Sequence, residues 1–318
     1  MSIPVTPENP LALIAGPTAS GKSAIALALA HRLAADGRQA VIVNADSAQV
    51  YADLKILSAR PSEDEMEGIE HRLFGAWDGS EACSAAAWAN RAKAEIADLH
   101  AAGAVPILVG GTGLYLKVLL EGIAPIPEID PAVRAQVRAM DEADAWKLLQ
   151  IEDPERAAML DPGDSQRIAR ALEVKRSTGV TLGDWQLAKA GGIAEEVTLH
   201  PLIVEPERQW VYDRCDARFE AMLDQGAIAE VETLLARGLD PELPVMRAIG
   251  VPEIAAWLAG EIEADEVIAS GAQATRNYAK RQFTWFRRQP PADWPRVHPD
   301  WESENIDIEA AFASLLRK

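Results

Sequence analysis

Eight residues near the amino end, Gly16 to Ser23, read GPTASGKS. A glycine, four free positions and then Gly-Lys-Ser make the pattern of a phosphate-binding loop. Gly16, Pro17, Thr18, Ala19, Ser20 and Gly21 form a turn whose backbone N–H groups, with the positive end of the following helix, cradle an anion. Lys22 adds a point charge, and Ser23 offers a hydroxyl to Mg²⁺. A nucleotide or another diphosphate is therefore expected here, with Mg²⁺. The pattern leaves open whether the phosphate is transferred, hydrolysed or departs.

A second candidate is Asp46, which ends the apolar run AVIVNAD. A carboxylate facing a bound phosphate is a natural general base, although an acid at a strand end also caps loops. Ser47, Gln49 and Tyr51 alternate behind it, as hydrogen-bonding readers or as plain strand-end polar residues. A P-loop protein that hydrolyses ATP usually places a Mg²⁺-coordinating Asp after another apolar strand. Here Val105–Val109 runs into Gly110, Gly111 and Thr112 instead, which argues against ATP hydrolysis. Two later stretches carry basic residues. In DSQRIARALEVKRSTG, Gln166 and Arg170 share one helical face, either as a solvated surface or as a ligand edge. In ATRNYAKRQFTWFRRQ, basic residues interleave with Tyr278, Phe283, Trp285 and Phe286. Such a run can stack unpaired RNA bases or can be a core-facing helix.

The elements that must hold these residues are legible from apolar runs. Leu11–Ala15, Ala40–Asp46, Val105–Gly113 and His200–Pro206 read as strands, and Lys22–Leu33 and Ser84–Ala102 as amphipathic helices. Alternation of strand and helix predicts an α/β fold: a P-loop NTPase-like parallel sheet with helices on both faces. Gly16, Asp46 and Thr112 then lie beyond the carboxyl ends of the strands, where such sheets bind ligands. From 121 to 197 the strand signal disappears, which predicts a helical insertion domain. Residues 1–120 and 198–318 would form the α/β core with a helical C-terminal part. The tail after Pro290 reads as mixed, acidic and peripheral.

Composition sets limits. The chain has 318 residues, 48% hydrophobic and 25% charged, with a formal net charge of −18. An acidic surface gives no long-range attraction to nucleic acid and disfavours non-specific binding, but a local basic groove remains compatible with it. Five basic residues and no acid lie between Arg276 and Arg288. No apolar run is long enough to span a bilayer, and MSIPVTPENP has no export-signal pattern. Cys83 and Cys215 lack metal-type spacing. A cytoplasmic protein with reduced thiols and no membrane partner is expected.

Several stretches in order carry a resemblance: GPTASGKS, NADSAQVY, ARPS, PILVGGTGLYLKVLLEG, DSQRIARALEV, RFEAMLDQGAIAEV, RAIGVPE and YAKRQFTWFRR. Together they resemble the bacterial tRNA dimethylallyltransferases, also called tRNA isopentenyltransferases, over nearly the whole chain. The resemblance implies transfer of a dimethylallyl group from dimethylallyl diphosphate to N6 of the adenosine 3′-adjacent to the anticodon, with release of pyrophosphate. It implies that the insertion grips the anticodon stem-loop of tRNA, and a monomer is expected. It adds Thr112 and Arg218 to Asp46 as catalytic residues. It implies tRNA contacts at Asp46, Ser47, Ala48, Gln49, Arg134, Gln166, Arg167, Ile168, Ala169, Arg170, Arg247, Lys280, Arg281, Gln282, Trp285 and Arg287. Three places depart from the family: LSARP at Leu57–Pro61, where Ser58 stands for a threonine and Arg60 for a lysine; Val251, where an aromatic is usual; and Ser23, which ends the phosphate loop in place of a threonine.

The rival is a P-loop small-molecule kinase, which would share the loop, Lys22 and an Asp base but consume ATP. The two basic segments and the large insertion argue against it. A non-catalytic nucleotide switch leaves Asp46 unexplained.

Overall fold

The structure is a computed structural model that describes residues 9–299 and 306–317. The segment in which an export signal was looked for lies largely outside them. Among the described residues, six parallel strands form one sheet: β1 Pro10–Ala15, β2 Ala40–Asn44, β3 His71–Arg72, β4 Val105–Gly110, β5 Thr198–Val204 and β6 Arg296–Val297, in the order β3-β2-β4-β1-β5-β6. The expected fold class is thus the observed one. The four longer strands are those expected from the sequence. The other two are two-residue pairings, too short to leave any periodic signal.

The central strands are apolar throughout because both faces of the sheet are covered. Ala12, Ile14, Ile42, Ile107, Val109, Leu202 and Val204 pack on Ile25, Leu29 and Leu33 of the helix Lys22–Ala35. The alternate residues Leu11, Leu13, Val41, Val43 and Leu108 point to the other face and are equally buried. The helix Ala85–Ala101 begins at Ser84, whose hydroxyl accepts from Ala87 N–H at 3.1 Å, and it buries Trp88, Ala92, Ile96 and Leu99. Its Trp88 indole donates to Asn44 C=O at 3.1 Å, tying the helix to the end of β2.

Strand register decides what emerges at the carboxyl edge. Ala15 lies opposite Gly110 and Ile203, and Asn44 lies opposite Val109. Thr112 N–H donates to Ala45 C=O at 3.2 Å. The chain therefore leaves β1 at Gly16, β2 at Ala45–Asp46 and β4 at Gly111–Thr112, side by side. Gly16 is required by contact: a Cβ there would stand 2.2 Å from Val204 O.

Two long helices, Arg208–Asp224 and Ala264–Arg288, complete the core unit. They share Val211, Cys215, Ala279 and Phe283 as a packed cluster. Gly271 lets the Phe219 ring close in, since a Cβ there would meet Phe219 Cζ at 2.0 Å. The tail corrects the sequence reading. Phe312, Leu315 and Leu316 are buried in the same cluster as the first helix, and Arg38 donates to Leu315 C=O at 2.7 Å. Its helices, Ile308–Ala311 and Ala313–Leu316, span four residues each, too few for periodicity to reveal them.

The second compact unit runs from Leu120 to Ile193, so residues 194–197 group with the core rather than with the insertion. The unit is helical, over Pro131–Arg138, Glu142–Glu152, Pro154–Ala157, Ser165–Thr178 and Leu182–Leu187. Asp130, Asp153, Asp164 and Thr181 cap the first, third, fourth and fifth of these helices. Val137, Ala145, Leu149, Ala157, Ile168, Ala171 and Leu172 give the unit its own core. An antiparallel bridge between Ile123 and Ala190 draws its two ends together.

Candidate active site

Helix Lys22–Ala35 starts from Gly21 at φ 85°, a left-handed conformation that glycine adopts without strain. Ala19 also has positive φ, at 59°. The Lys22 ammonium folds back over the loop, donating to Pro17 C=O at 2.5 Å and to Ser20 Oγ at 3.4 Å. Burial lowers its pKa from 10.5 to about 8, Asp46 pulls it up, and Arg218 pushes it down. A buried cation whose hydrogen-bond partners among the described residues are a carbonyl and a hydroxyl is poised for an anion.

Arg218, from the helix Arg208–Asp224, donates from Nη2 to Thr18 Oγ1 at 2.6 Å. Burial lowers its pKa from the usual arginine value, yet arginine stays charged at any working pH. Arg214 on the same helix donates to Ala19 C=O at 3.2 Å and lies over the Trp210 ring. Three cations thus converge on one loop.

Asp46 is set by Asn44, which is fully buried. Asn44 Oδ1 accepts from Asp46 N–H at 2.8 Å, while its Nδ2 donates to Asp46 C=O at 3.0 Å and Leu73 C=O at 3.2 Å. One Asp46 carboxylate oxygen accepts from Ala48 N–H at 3.0 Å, a turn that fixes the side chain. Asp46 therefore caps its own turn and also lines a pocket shared with the phosphate loop. Beside it Thr112 Oγ1 accepts from Ser47 N–H at 2.8 Å and donates to Ser47 Oγ at 3.1 Å. Burial followed by the Asp46 charge raises the Tyr278 phenol pKa well above the ordinary value, while the nearby Thr112 and Ser47 hydroxyls pull it down.

Lys22, Arg214, Arg218, Asp46, Ser47 and Tyr278 border one pocket of about 640 Å³ within the core unit. Asn44 and Thr112 do not line it; they act on it through their hydrogen bonds to Asp46 and Ser47, so Thr112, expected as a catalytic residue, sits one residue removed from the pocket wall. Thr18–Ser23, Asp46–Gln49, Tyr51, Leu54, Cys83, Tyr115, Arg214, Arg218, Arg247, Tyr278 and Arg281 line it. Tyr115 is buried, stacked on Trp88 with ring centroids 4.5 Å apart. Arg247 is exposed and paired with Glu242. Its lining combines cations at the loop, the acids Asp46 and Glu65, and apolar and aromatic side chains.

Other residues singled out from the sequence fall differently. Gln282 is 4% exposed; its Oε1 accepts from Thr18 N–H at 2.7 Å and its Nε2 donates to Gly111 C=O at 2.9 Å. Those two bonds occupy both ends of an amide expected to read RNA. Lys280, Arg281 and Arg287 are exposed on the same helix, while Phe283 and Phe286 are core. Trp285 is half-buried against Gly113 and Phe286. In the helical unit Gln166, Arg167 and Arg134 are exposed, Ala169 and Arg170 are partly covered, and Ile168 is core. Arg170 approaches the buried Glu173 at 3.7 Å, and Arg138 pairs with the same carboxylate at 3.0 Å. Gln49 Nε2 donates to Ser58 and Ala59 carbonyls at 3.1 and 2.8 Å, so it holds the LSARP turn. Within that turn Ser58 Oγ donates to Leu54 C=O at 2.7 Å, and Arg60 reaches the carbonyls of Tyr51 and Ala52. Val251 is buried.

The sequence reading missed Asn44, Arg214 and Tyr278 as site groups. A signal for Tyr278 existed: Thr275, Tyr278, Ala279, Gln282, Phe283 and Phe286 make one helical stripe. The polar members of an otherwise apolar stripe are the ones with buried work to do.

Comparison with known proteins agrees with this geometry. Residues 49–289 match the IPP transferase family model. A tRNA dimethylallyltransferase of Erythrobacter litoralis is 64% identical over 317 residues, covering 98% of this chain and 99% of that one. One from Sphingopyxis alaskensis is 61% identical over 308 residues, covering 97% and 98%. Among solved structures, the full-length tRNA isopentenylpyrophosphate transferase of Bacillus halodurans aligns with a TM-score of 0.68 at 30% identity, covering 97% of both chains. A eukaryotic dimethylallyltransferase solved acting on tRNA aligns with a TM-score of 0.73 at 27% identity, covering 87% of this chain and 69% of that one. The phosphate loop, the acid beside it and the match along nearly the full chain lead to one conclusion: this chain belongs to the IPP transferase family, alongside proteins named tRNA dimethylallyltransferase.

Proposed function

We propose that the protein transfers a dimethylallyl group from dimethylallyl diphosphate to N6 of the adenosine 3′-adjacent to the anticodon of tRNA. The observation that carries this reading is the placement of Asp46 and the phosphate loop on one pocket, with no second acid after β4. The loop, Lys22, Arg218 and Arg214 hold the diphosphate as a leaving group. An exocyclic adenine amine is a weak nucleophile because its lone pair is delocalised into the ring. Asp46 accepts the amine proton as nitrogen attacks the allylic carbon. The N6–C1 bond forms, the C1–O bond to diphosphate breaks, pyrophosphate leaves, and Asp46 returns its proton to solvent. Charge grows on the leaving oxygen, so fixed cations at the loop favour the transition state over the ground state. Ser47 and Tyr278 line the pocket with Asp46, Thr112 fixes Ser47 through two hydrogen bonds, and the acceptor amine is oriented against the Ser47 and Tyr278 hydroxyls. The adenosine must leave its stack to reach the pocket.

Mg²⁺ is proposed to accompany the diphosphate. Among the described residues no cluster of three or more His, Cys, Asp or Glu side chains forms a metal cage. Ser23 nonetheless opens onto the pocket in the first turn of its helix, and a phosphate-bound Mg²⁺ needs only one or two protein ligands. The site fits such an ion, with Ser23 as its protein ligand, and the ion would neutralise charge on the departing diphosphate.

Arg247, Arg281, Lys280 and Arg287 on the core unit, and Arg134, Gln166, Arg167 and Arg170 on the helical unit, are proposed to hold the anticodon stem-loop. The protein is proposed to act as a monomer in the cytoplasm; among the described residues no helix is long and apolar enough to cross a membrane. Incubation with unmodified tRNA, Mg²⁺ and carbon-labelled dimethylallyl diphosphate tests the reading. Label should enter tRNA at a single adenosine whether or not ATP is present. ATP-dependent phosphorylation of a small acceptor, with no label in tRNA, would establish the kinase instead.

A further inference from the structure

We infer that Gln282 is a positioning residue that couples RNA seated on the helix Ala264–Arg288 to the diphosphate cradle. The inference rests on the function proposed above and concerns a residue first read as an RNA contact.

The geometry is specific. A buried amide must satisfy both its ends, and each end of Gln282 meets a different strand exit. Its Oε1 takes Thr18 N–H at 2.7 Å, after β1, and its Nε2 gives to Gly111 C=O at 2.9 Å, after β4. The partners fix the orientation of the amide, since a backbone N–H can only donate and a C=O can only accept. Space is closed as well: a Cβ on Gly111 would lie 2.2 Å from Gln282 Nε2 and 2.9 Å from Gly16 O. Both partners of this bracket adjoin the site machinery. Thr18 itself carries the hydroxyl bonded by Arg218, and Thr112 follows Gly111. The next residue back on the helix, Arg281, is exposed and lines the pocket.

A helix held by RNA through its exposed side chains therefore bears on the donor loop through one buried amide. Lys22, folded onto Pro17 C=O and Ser20 Oγ, shows that the loop has a self-satisfied arrangement from which an arriving phosphate must draw the ammonium. Gln282 biases that rearrangement, so the two substrates bind cooperatively rather than independently. By linkage the effect is reciprocal.

The test measures inorganic pyrophosphate affinity by calorimetry with Mg²⁺, with and without unmodified anticodon stem-loop RNA, in wild type and Gln282→Met. Methionine keeps the length and apolar bulk but makes neither bond. RNA should tighten pyrophosphate about 5-fold or more in wild type. In Gln282→Met the enhancement should fall below about 2-fold, while each ligand alone keeps its affinity within about 3-fold. Undiminished coupling in Gln282→Met overturns the inference, as does equal loss of both separate affinities, which a merely structural role predicts. If Gln282→Met does not fold, Gln282→Glu is judged in its place: it can accept from Thr18 N–H but cannot donate to Gly111, and retention of full coupling overturns the inference. Wild type binding both ligands without coupling defeats this inference alone. Wild type binding neither defeats the functional reading beneath it.

Discussion

Lys22 and Asp46 divide the chemistry between them, and each makes a prediction at the scale of one side chain. Burial holds Lys22 at about 8 rather than 10.5. Below that pH the ammonium is already charged and diphosphate binds it directly. Above it the neutral amine must take up a proton on binding, because the anion favours the charged form. The Lys22 contribution to pyrophosphate affinity should therefore be fully present below about pH 8 and fall by up to about tenfold per pH unit above it. Calorimetry at pH 8.5 in buffers of different ionisation heat should show proton uptake that Lys22→Met abolishes. Arg218, paired with Thr18 at 2.6 Å, should lose roughly tenfold or more in kcat/KM as Arg218→Ala, with tRNA affinity little changed. The phosphate loop and Asp46 were legible from residue type and spacing alone. Asn44 was not, because its role lies in three hydrogen bonds that only the turn after β2 brings into being.

At the scale of elements, the site depends on strand exits that lie in contact. Gly16→Ala drives a Cβ to 2.2 Å from Val204 O, and neither backbone can yield without moving β1 or β5. It should cost about 1–3 kcal/mol in denaturant unfolding and weaken pyrophosphate binding further. In the helical unit, Leu149 is fully buried in a separate core. Leu149→Ala should destabilise that unit by about 2–5 kcal/mol. Pyrophosphate binding should remain intact because the cradle belongs wholly to the core unit, and hydrogen exchange would locate the loss. What sequence reveals at this scale follows from length. Strands of five to seven residues announce themselves as apolar runs, whereas β3 and β6 with two residues each do not. The helix Ala264–Arg288 was legible as basic and aromatic, but its faces were not separated. Gln282 and Phe283 turn inward while Lys280 and Arg281 turn outward, and only the 3.6-residue period applied residue by residue distinguishes them.

For the whole molecule, the puzzle is a protein of net charge −18 that handles a polyanion. Exposed cations are nonetheless present on each unit: Arg247, Lys280, Arg281 and Arg287 on the core unit, and Arg134 and Arg167 on the helical unit. Binding of tRNA should weaken steeply with salt, and Lys280→Ala should reduce the slope of log K against log salt by about 0.7 to 0.9; salt-insensitive binding would contradict a basic groove. The central claim, however, is that Asp46 and the phosphate loop act on opposite ends of one transfer. Single-turnover transfer from saturating dimethylallyl diphosphate to bound tRNA tests it most directly, comparing wild type with Asp46→Asn. The account predicts a chemical rate at least about 100-fold lower, with tRNA and pyrophosphate affinities within about 3-fold of wild type. An unchanged rate in Asp46→Asn, or a loss confined to tRNA affinity, would contradict it.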